Sequence, residues 1–196
     1  TFPEYEAVKK LARYQFLRGN KVELLVDGQA TYDSIAAGIE TAESYVLFQF
    51  YILRSDDIGN RFKDQLIRKA KEGVTVYVLY DELGSSGLKP EWLADFSSEG
   101  IQILPFNTRQ GPRNKFQLNF RNHRKIVVVD GKSTWVGGLN VGDDYLGEDP
   151  KLSPWRDTHM HIQGPVALAA QTSFLLDWHW ASHEILQGLS WSPQAA

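Results

Sequence analysis

Apolar and polar positions follow two rhythms along these 196 residues. Residues 3–18, PEYEAVKKLARYQFLR, space apolar side chains three and four apart and stop at Gly19-Asn20, which predicts a helix. KVELLVDG (21–28) reads as a strand and a turn, and a helix over about 30–44 follows. YVLFQFYIL (45–53) is a continuous apolar run, the pattern of a strand covered on both faces. A helix near 59–72 closes at Gly73, and VTVYVLYD (74–81) repeats the buried-strand pattern. A short helix near 90–98 and the strand IQILPF (101–106) come next, whereas 107–122, NTRQGPRNKFQLNFRN, reads as a long irregular loop. NHRKIVVVDGKSTWVGGLN (122–140) predicts a hairpin about the two-residue turn Asp130-Gly131. DTHMHIQG (157–164) alternates as a strand, and Pro165 starts a helix that runs to about 186 and is expected to pack on the sheet through Phe174, Leu175 and Trp178.

Strands alternating with helices define an α/β class, a sandwich of helices around a mixed or parallel sheet. The length suits one domain, divided here into an N-terminal helical segment (1–20) and a single folded unit (21–196). Hydrophobic content of 42% with 23% charge supports a buried core. The longest apolar run is about half of what a membrane span needs, and Gln49 interrupts it. No signal peptide is visible, and a start on Thr1 is expected of a piece of a longer protein. The absence of cysteine excludes disulfides and thiolate metal sites. A net charge of −3 supplies no global field toward nucleic acid or an anionic membrane.

The hairpin carries the chemistry. His123 and Lys125 stand two apart where the strand goes inside, so both face one way, about 6–7 Å apart. With Asp130, Gly137, Gly138 and Asn140 they spell H-x-K-x4-D followed by G-G-x-N. Phosphoryl transfer needs a nucleophile, a proton donor for the leaving oxygen and positive charge on the non-bridging oxygens. A neutral imidazole can attack phosphorus and a lysine can neutralise an oxygen, while a carboxamide donates a further hydrogen bond. Glycines 137 and 138 would let the backbone approach a phosphate. The bland alternatives are a surface His-Lys pair on a strand end and an Asp130 chosen for its turn.

This string resembles the signature of the phospholipase D superfamily, H-x-K-x4-D-x6-G-[SG]-x-N, with Gly138 where many members carry Ser. The segment VGDDYLGEDPKLSPWRDTH is similar to the bacterial cardiolipin synthase subgroup, and the likeness covers nearly the whole chain. The resemblance implies an α/β/α sandwich with a central mixed sheet and a metal-independent phosphatidyltransferase without cofactor. It implies exchange between two phosphatidylglycerol molecules through a phosphohistidine. His123 would be nucleophile or general acid, Lys125, Asn140 and Gly138 would bind phosphate, and Asp157 would accept a hydrogen bond from His123 to fix its tautomer. Asp130, the motif's third letter, is expected to order the site rather than react.

Family members use two such motifs, and this chain has one. The resemblance therefore implies a first catalytic half that needs a second motif-bearing half or a second copy. It also implies attachment to the bacterial inner membrane through segments outside this chain, the fragment itself being soluble. Two rival readings are a homodimeric phosphodiesterase or nuclease, against which the negative charge counts, and a non-catalytic interface domain.

All five histidines lie between 123 and 183, and the pairs His159/His161 and His179/His183 each share a face that zinc and a carboxylate would suit. Neither pair has an evident third and fourth ligand, and Lys125 would repel a cation. Residues 109–132 hold Arg109, Arg113, Lys115, Arg121, Arg124, Lys125 and Lys132 against Asp130, a local excess that suits an anionic ligand. Arg124 points away from Lys125. Trp155, Trp178, Trp180 and Trp191 suit core packing better than a lipid interface.

Overall fold

The computed structural model describes residues 3–12, 16–106, 121–148 and 153–196. Its centre is a pair of strands with no polar face, β2 (Tyr45–Phe50) and β3 (Thr75–Asp81), whose apolar runs are explained by helices on both sides of the sheet. Five more strands complete it: β1 (Lys21–Val26), β4 (Gln102–Phe106), β5 (Ile126–Val129), β6 (Ser133–Gly137) and β7 (Thr158–Gln163). The order across the seven-stranded sheet is β1-β7-β6-β5-β2-β3-β4. β2, β3 and β4 run parallel, and the hairpin β5–β6 with β7 and β1 continues antiparallel, so the sheet is mixed.

Alternation along the central strands feeds two cores. Phe48, Val78, Val127 and Trp135 pack under α2 (Asp27–Glu40), α3 (Asp57–Lys71) and α4 (Pro90–Ser98), with Ile35, Ile39, Phe62 and Phe96 from the helices. Leu47, Leu79, Ile126 and Val128 face the other way, against Phe174 and Trp178 of α5 (Val166–Ser182). Each such fully buried side chain contributes about 1.5–3 kcal/mol, so the two-sided patterning fixes the layers. Trp155 and Trp178 pack, Trp155 edge-on to Tyr145, while Trp180 and Trp191 are 41% and 55% exposed.

Several boundaries differ from expectation. Asp27-Gly28 is the first turn of α2 rather than a separate turn, and Asp27 takes φ +64° to make the corner. The helix expected over 3–18 is α1, Pro3–Ala12, and residues 16–20 are not helical. At Asp130 and Gly131 both φ angles are positive and Lys132 N–H closes the turn on the Val129 carbonyl. Pairing resumes at Val129↔Ser133, so the hairpin loop has one residue more than the two predicted. α5 ends at Ser182, where His183 turns left-handed. The irregular loop expected at 107–122 falls on residues 107–120, outside the described ones.

Candidate active site

Because β5 and β7 run opposite to β1, β2, β3 and β6, the ends of the latter and the starts of the former share one edge of the sheet. Tyr51, Asp81, His123, Lys125, Gly138, Asn140, Asp157 and Asp27 gather there. Asp81 is buried at the end of β3. Its Oδ1 accepts the N–H of Leu83 and Gly84, and its Oδ2 accepts that of Asn122 at 2.9 Å. Asn122 in turn accepts Arg124 N–H at 3.1 Å. The backbone on either side of His123 is thereby fixed before β5 begins.

His123 and Lys125 do face the same way, onto Tyr51. The imidazole is stacked on the tyrosine ring, centroids 3.8 Å apart and planes 17° from parallel. Lys125 Nζ lies 5.2 Å from the same ring centroid and donates to the His123 carbonyl at 2.7 Å. Burial pulls the Lys125 ammonium below the ordinary lysine range, and the Asp157 carboxylate offsets part of that. Arg121 donates to the Tyr51 hydroxyl at 3.2 Å, adding another cation at the same edge.

Asn140 is buried on the return from β6. Its Oδ1 accepts Ile52 N–H at 3.0 Å, and Nδ2 donates to the Tyr145 hydroxyl at 3.0 Å, which leaves one amide hydrogen to give. Its carbonyl takes the hydroxyl of the buried Tyr32 at 2.7 Å, and desolvation raises that phenol far above its ordinary range. Asn140 is therefore part of the frame around Tyr51 as well as a donor at the edge.

Asp157 opens β7. Its N–H goes to Asp27 Oδ1 at 3.1 Å, and Asp27 N–H returns to its carbonyl at 3.0 Å, a reciprocal clamp that explains the left-handed Asp27. Its Oδ1 accepts Thr158 N–H at 2.7 Å. Among the described residues no hydrogen bond joins Asp157 to His123. The carboxylate's field reaches Lys125 and the buried His159 instead.

The glycines serve this packing. A Cβ on Gly138 would stand 2.1 Å from Asp157 Oδ1, and one on Gly137 2.5 Å from the His159 ring. The Gly138 N–H is already bonded to the Thr158 carbonyl at 3.0 Å, so Gly138 has no free donor for a phosphate. His159 is 1% exposed, neither ring nitrogen has a partner among the described residues, and burial pushes its pKa down to about 4.

Asp130 is elsewhere. It stands past the far end of β5, roughly 16 Å from Lys125 at the usual rise per strand residue. Its carboxylate accepts the N–H groups of Glu43, Ser44 and Tyr45 at 2.8–2.9 Å. The structure thus separates the motif's third letter from the other two. Arg124 does point away from Lys125, and one guanidinium nitrogen holds both Asp177 oxygens at 2.7 and 2.8 Å. The histidine pairs are used in packing: His161 lies flat on Trp135 at 4.3 Å with Glu23 3.6 Å away, and His179 meets the Glu184 carbonyl at 3.3 Å. Arg109, Arg113 and Lys115 lie outside the described residues.

Solved structures share this architecture. The phospholipase D family member Nuc from Salmonella typhimurium superposes with a TM-score of 0.62 at 16% identity, over 86% of this chain and 99% of that one. Phosphatidylserine synthase from Haemophilus influenzae gives 0.61 at 17% identity, over 80% of this chain and 36% of its own. At such identities the likeness is one of fold. In sequence, the family described as "Cardiolipin synthase, PLD-like domain" matches residues 35–150, more than half of the chain. The chain belongs to this phospholipase D-like family.

Its sequence is 50% identical to cardiolipin synthase A of Pseudomonas putida over 185 residues, 94% of this chain and 39% of that protein. The corresponding enzyme of Pseudomonas fluorescens is 47% identical over 94% of this chain. The chain thus spans about two-fifths of the length of these relatives. No helix among the described residues is long and apolar enough to cross a membrane.

Proposed function

We propose that this chain is the half of a cardiolipin-synthase-type phosphatidyltransferase that carries one of its two reactive imidazoles. The observation that carries the reading is the placement of His123 and Lys125 side by side on one aromatic ring at the strand-end edge of the sheet. Half-identity to cardiolipin synthases over nearly the whole chain supports the substrate class.

In this reading a His123 ring nitrogen attacks the phosphorus of phosphatidylglycerol. The bond from phosphorus to the glycerol headgroup breaks, and the departing oxygen takes a proton from an imidazole of a second motif-bearing half or second copy, releasing glycerol. The terminal hydroxyl of another phosphatidylglycerol then returns a proton to that imidazole and attacks phosphorus. The phosphorus–nitrogen bond breaks and His123 is regenerated. Lys125 and the remaining Asn140 amide hydrogen meet the non-bridging oxygens. Asp157 holds the field under Lys125 and is the proposed partner for the His123 tautomer. Attachment to a membrane would come from segments beyond this chain.

The test is to incubate the intact protein with phosphatidylglycerol vesicles and, separately, with plasmid DNA, and to map any phosphorylated-lipid adduct. Glycerol release with an adduct on the His123 peptide is expected, and its loss in H123N. Cleavage of DNA alone would sink the substrate assignment, and an adduct on another histidine would reassign the nucleophile.

A further inference from the structure

We infer that Tyr51 is a positioning residue for the transfer: its ring is a floor that holds the His123 imidazole and the Lys125 ammonium in one plane of attack. The inference rests on the phosphatidyltransfer reading. The reactive lone pair of an imidazole lies in the plane of its ring. With that plane 17° from parallel to Tyr51 and 3.8 Å above it, the attacking nitrogen points across the tyrosine face, not toward it. Phosphorus must therefore arrive edge-on over the floor. Lys125 Nζ, 5.2 Å from the same centroid, is placed to meet an oxygen of a phosphate arriving there. His123 is exposed, and the tyrosine is its ring contact among the described residues, so without it the side chain would sample several rotamers.

The floor is itself held in place. Tyr51 is 9% exposed, and its hydroxyl accepts from Arg121. Ser85 Oγ accepts Leu53 N–H at 2.9 Å and donates to the Tyr51 carbonyl at 3.3 Å. Asn140 Oδ1 holds the next N–H, that of Ile52. Gly84 must be bare here: its Cβ would stand 2.3 Å from the Tyr51 carbonyl oxygen and 2.9–3.0 Å from two ring carbons. One motif residue, Asn140, thereby sets the height of the platform on which the other two rest.

Y51L and Y51F in the intact protein test this, with kcat and KM for phosphatidylglycerol measured across pH. Y51L is expected to lower kcat on the order of tenfold, the scale of a lost stacking and cation–π contact, with KM within about twofold. Y51F keeps the ring and should recover kcat to within about threefold. Kinetics of Y51L equal to the unaltered protein would overturn the inference, as would a Y51F as impaired as Y51L, which would make the hydroxyl the working group. Should Y51L not fold, nuclear magnetic resonance of the unaltered chain decides: stacking shifts the His123 Hε1 resonance upfield, and a random-coil position refutes the contact. H123N separates the levels. Full transfer by H123N sinks the phosphatidyltransfer reading itself, whereas an inactive H123N beside a fully active Y51L sinks only the role of Tyr51.

Discussion

Asp130 caps the start of β2 through Tyr45, whose N–H meets its Oδ1 at 2.8 Å, while Ser44 and Glu43 supply two more donors at 2.9 Å each. Removing that carboxylate takes the acceptor from one buried and two half-buried backbone N–H groups. D130A should therefore lower the unfolding free energy by about 3 kcal/mol or more, and D130N by less, in a urea titration. A D130A protein as stable as the original but unable to transfer would instead give this aspartate a chemical part.

The Arg124–Asp177 pair is asymmetric. The arginine side chain is 54% exposed and the aspartate 10%, and Gln49 Nε2 also donates to Asp177, at 2.7 Å. R124M should cost at most about 1 kcal/mol, since solvent already screens that partner. D177A, which strips an acceptor from Gln49 as well, should cost roughly 2–3 kcal/mol. Equal losses in chemical denaturation would contradict this burial argument.

His159 makes the fold acid-sensitive. Its folded pKa of about 4 is below the ordinary value of 6.5, so between those values the unfolded chain binds the extra proton. Its contribution is intact above about pH 6.5 and is lost as pH falls toward 4, by roughly 3 kcal/mol in all. Melting curves of the native protein and H159Q from pH 7 to 4 should converge on acidification, because the variant lacks this titration. Parallel curves would show that His159 does not titrate this way.

Lys125 should govern the alkaline limb of transfer. Burial lowers its pKa, so the charge that meets the phosphoryl oxygens is lost at a lower pH than for a free lysine. K125M should reduce kcat more than about 100-fold, and K125R should retain its charge and push the limb upward. A pH–rate profile unchanged in K125R would assign the limb to another group.

Much of the scaffold is legible in the sequence because its signals are local. The run of β3 reads correctly, since covering a strand on both faces leaves no polar rhythm, and Pro90 marks the start of α4. His123 and Lys125 are legible as a same-face pair because two-residue spacing determines direction. Tyr51 is not: it lies within an apolar run like any core residue, and its role depends on a strand far along the chain. Gly138 misleads for a similar reason. Spacing says the backbone is bare there, but not that the Asp157 carboxylate packs against it. Asp27 hides as a turn residue because the clamp that holds its left-handed backbone comes from Asp157.

The first strand of the sheet, β1, pairs with the last, β7, and the reactive hairpin is sewn between β7 and β2. The groups at the strand-end edge thus come from several separate stretches of chain, with Asp27, Tyr51 and Asp81 distant in sequence from the hairpin of His123, Lys125 and Asn140. Long-range contacts of that kind slow folding, because the chain between their ends must first be closed into a loop. A chain in which only the β5–β6 hairpin had formed would carry imidazole, ammonium and carboxamide without the Tyr51 ring beneath them, so the site is complete only once β2 has docked beside β5.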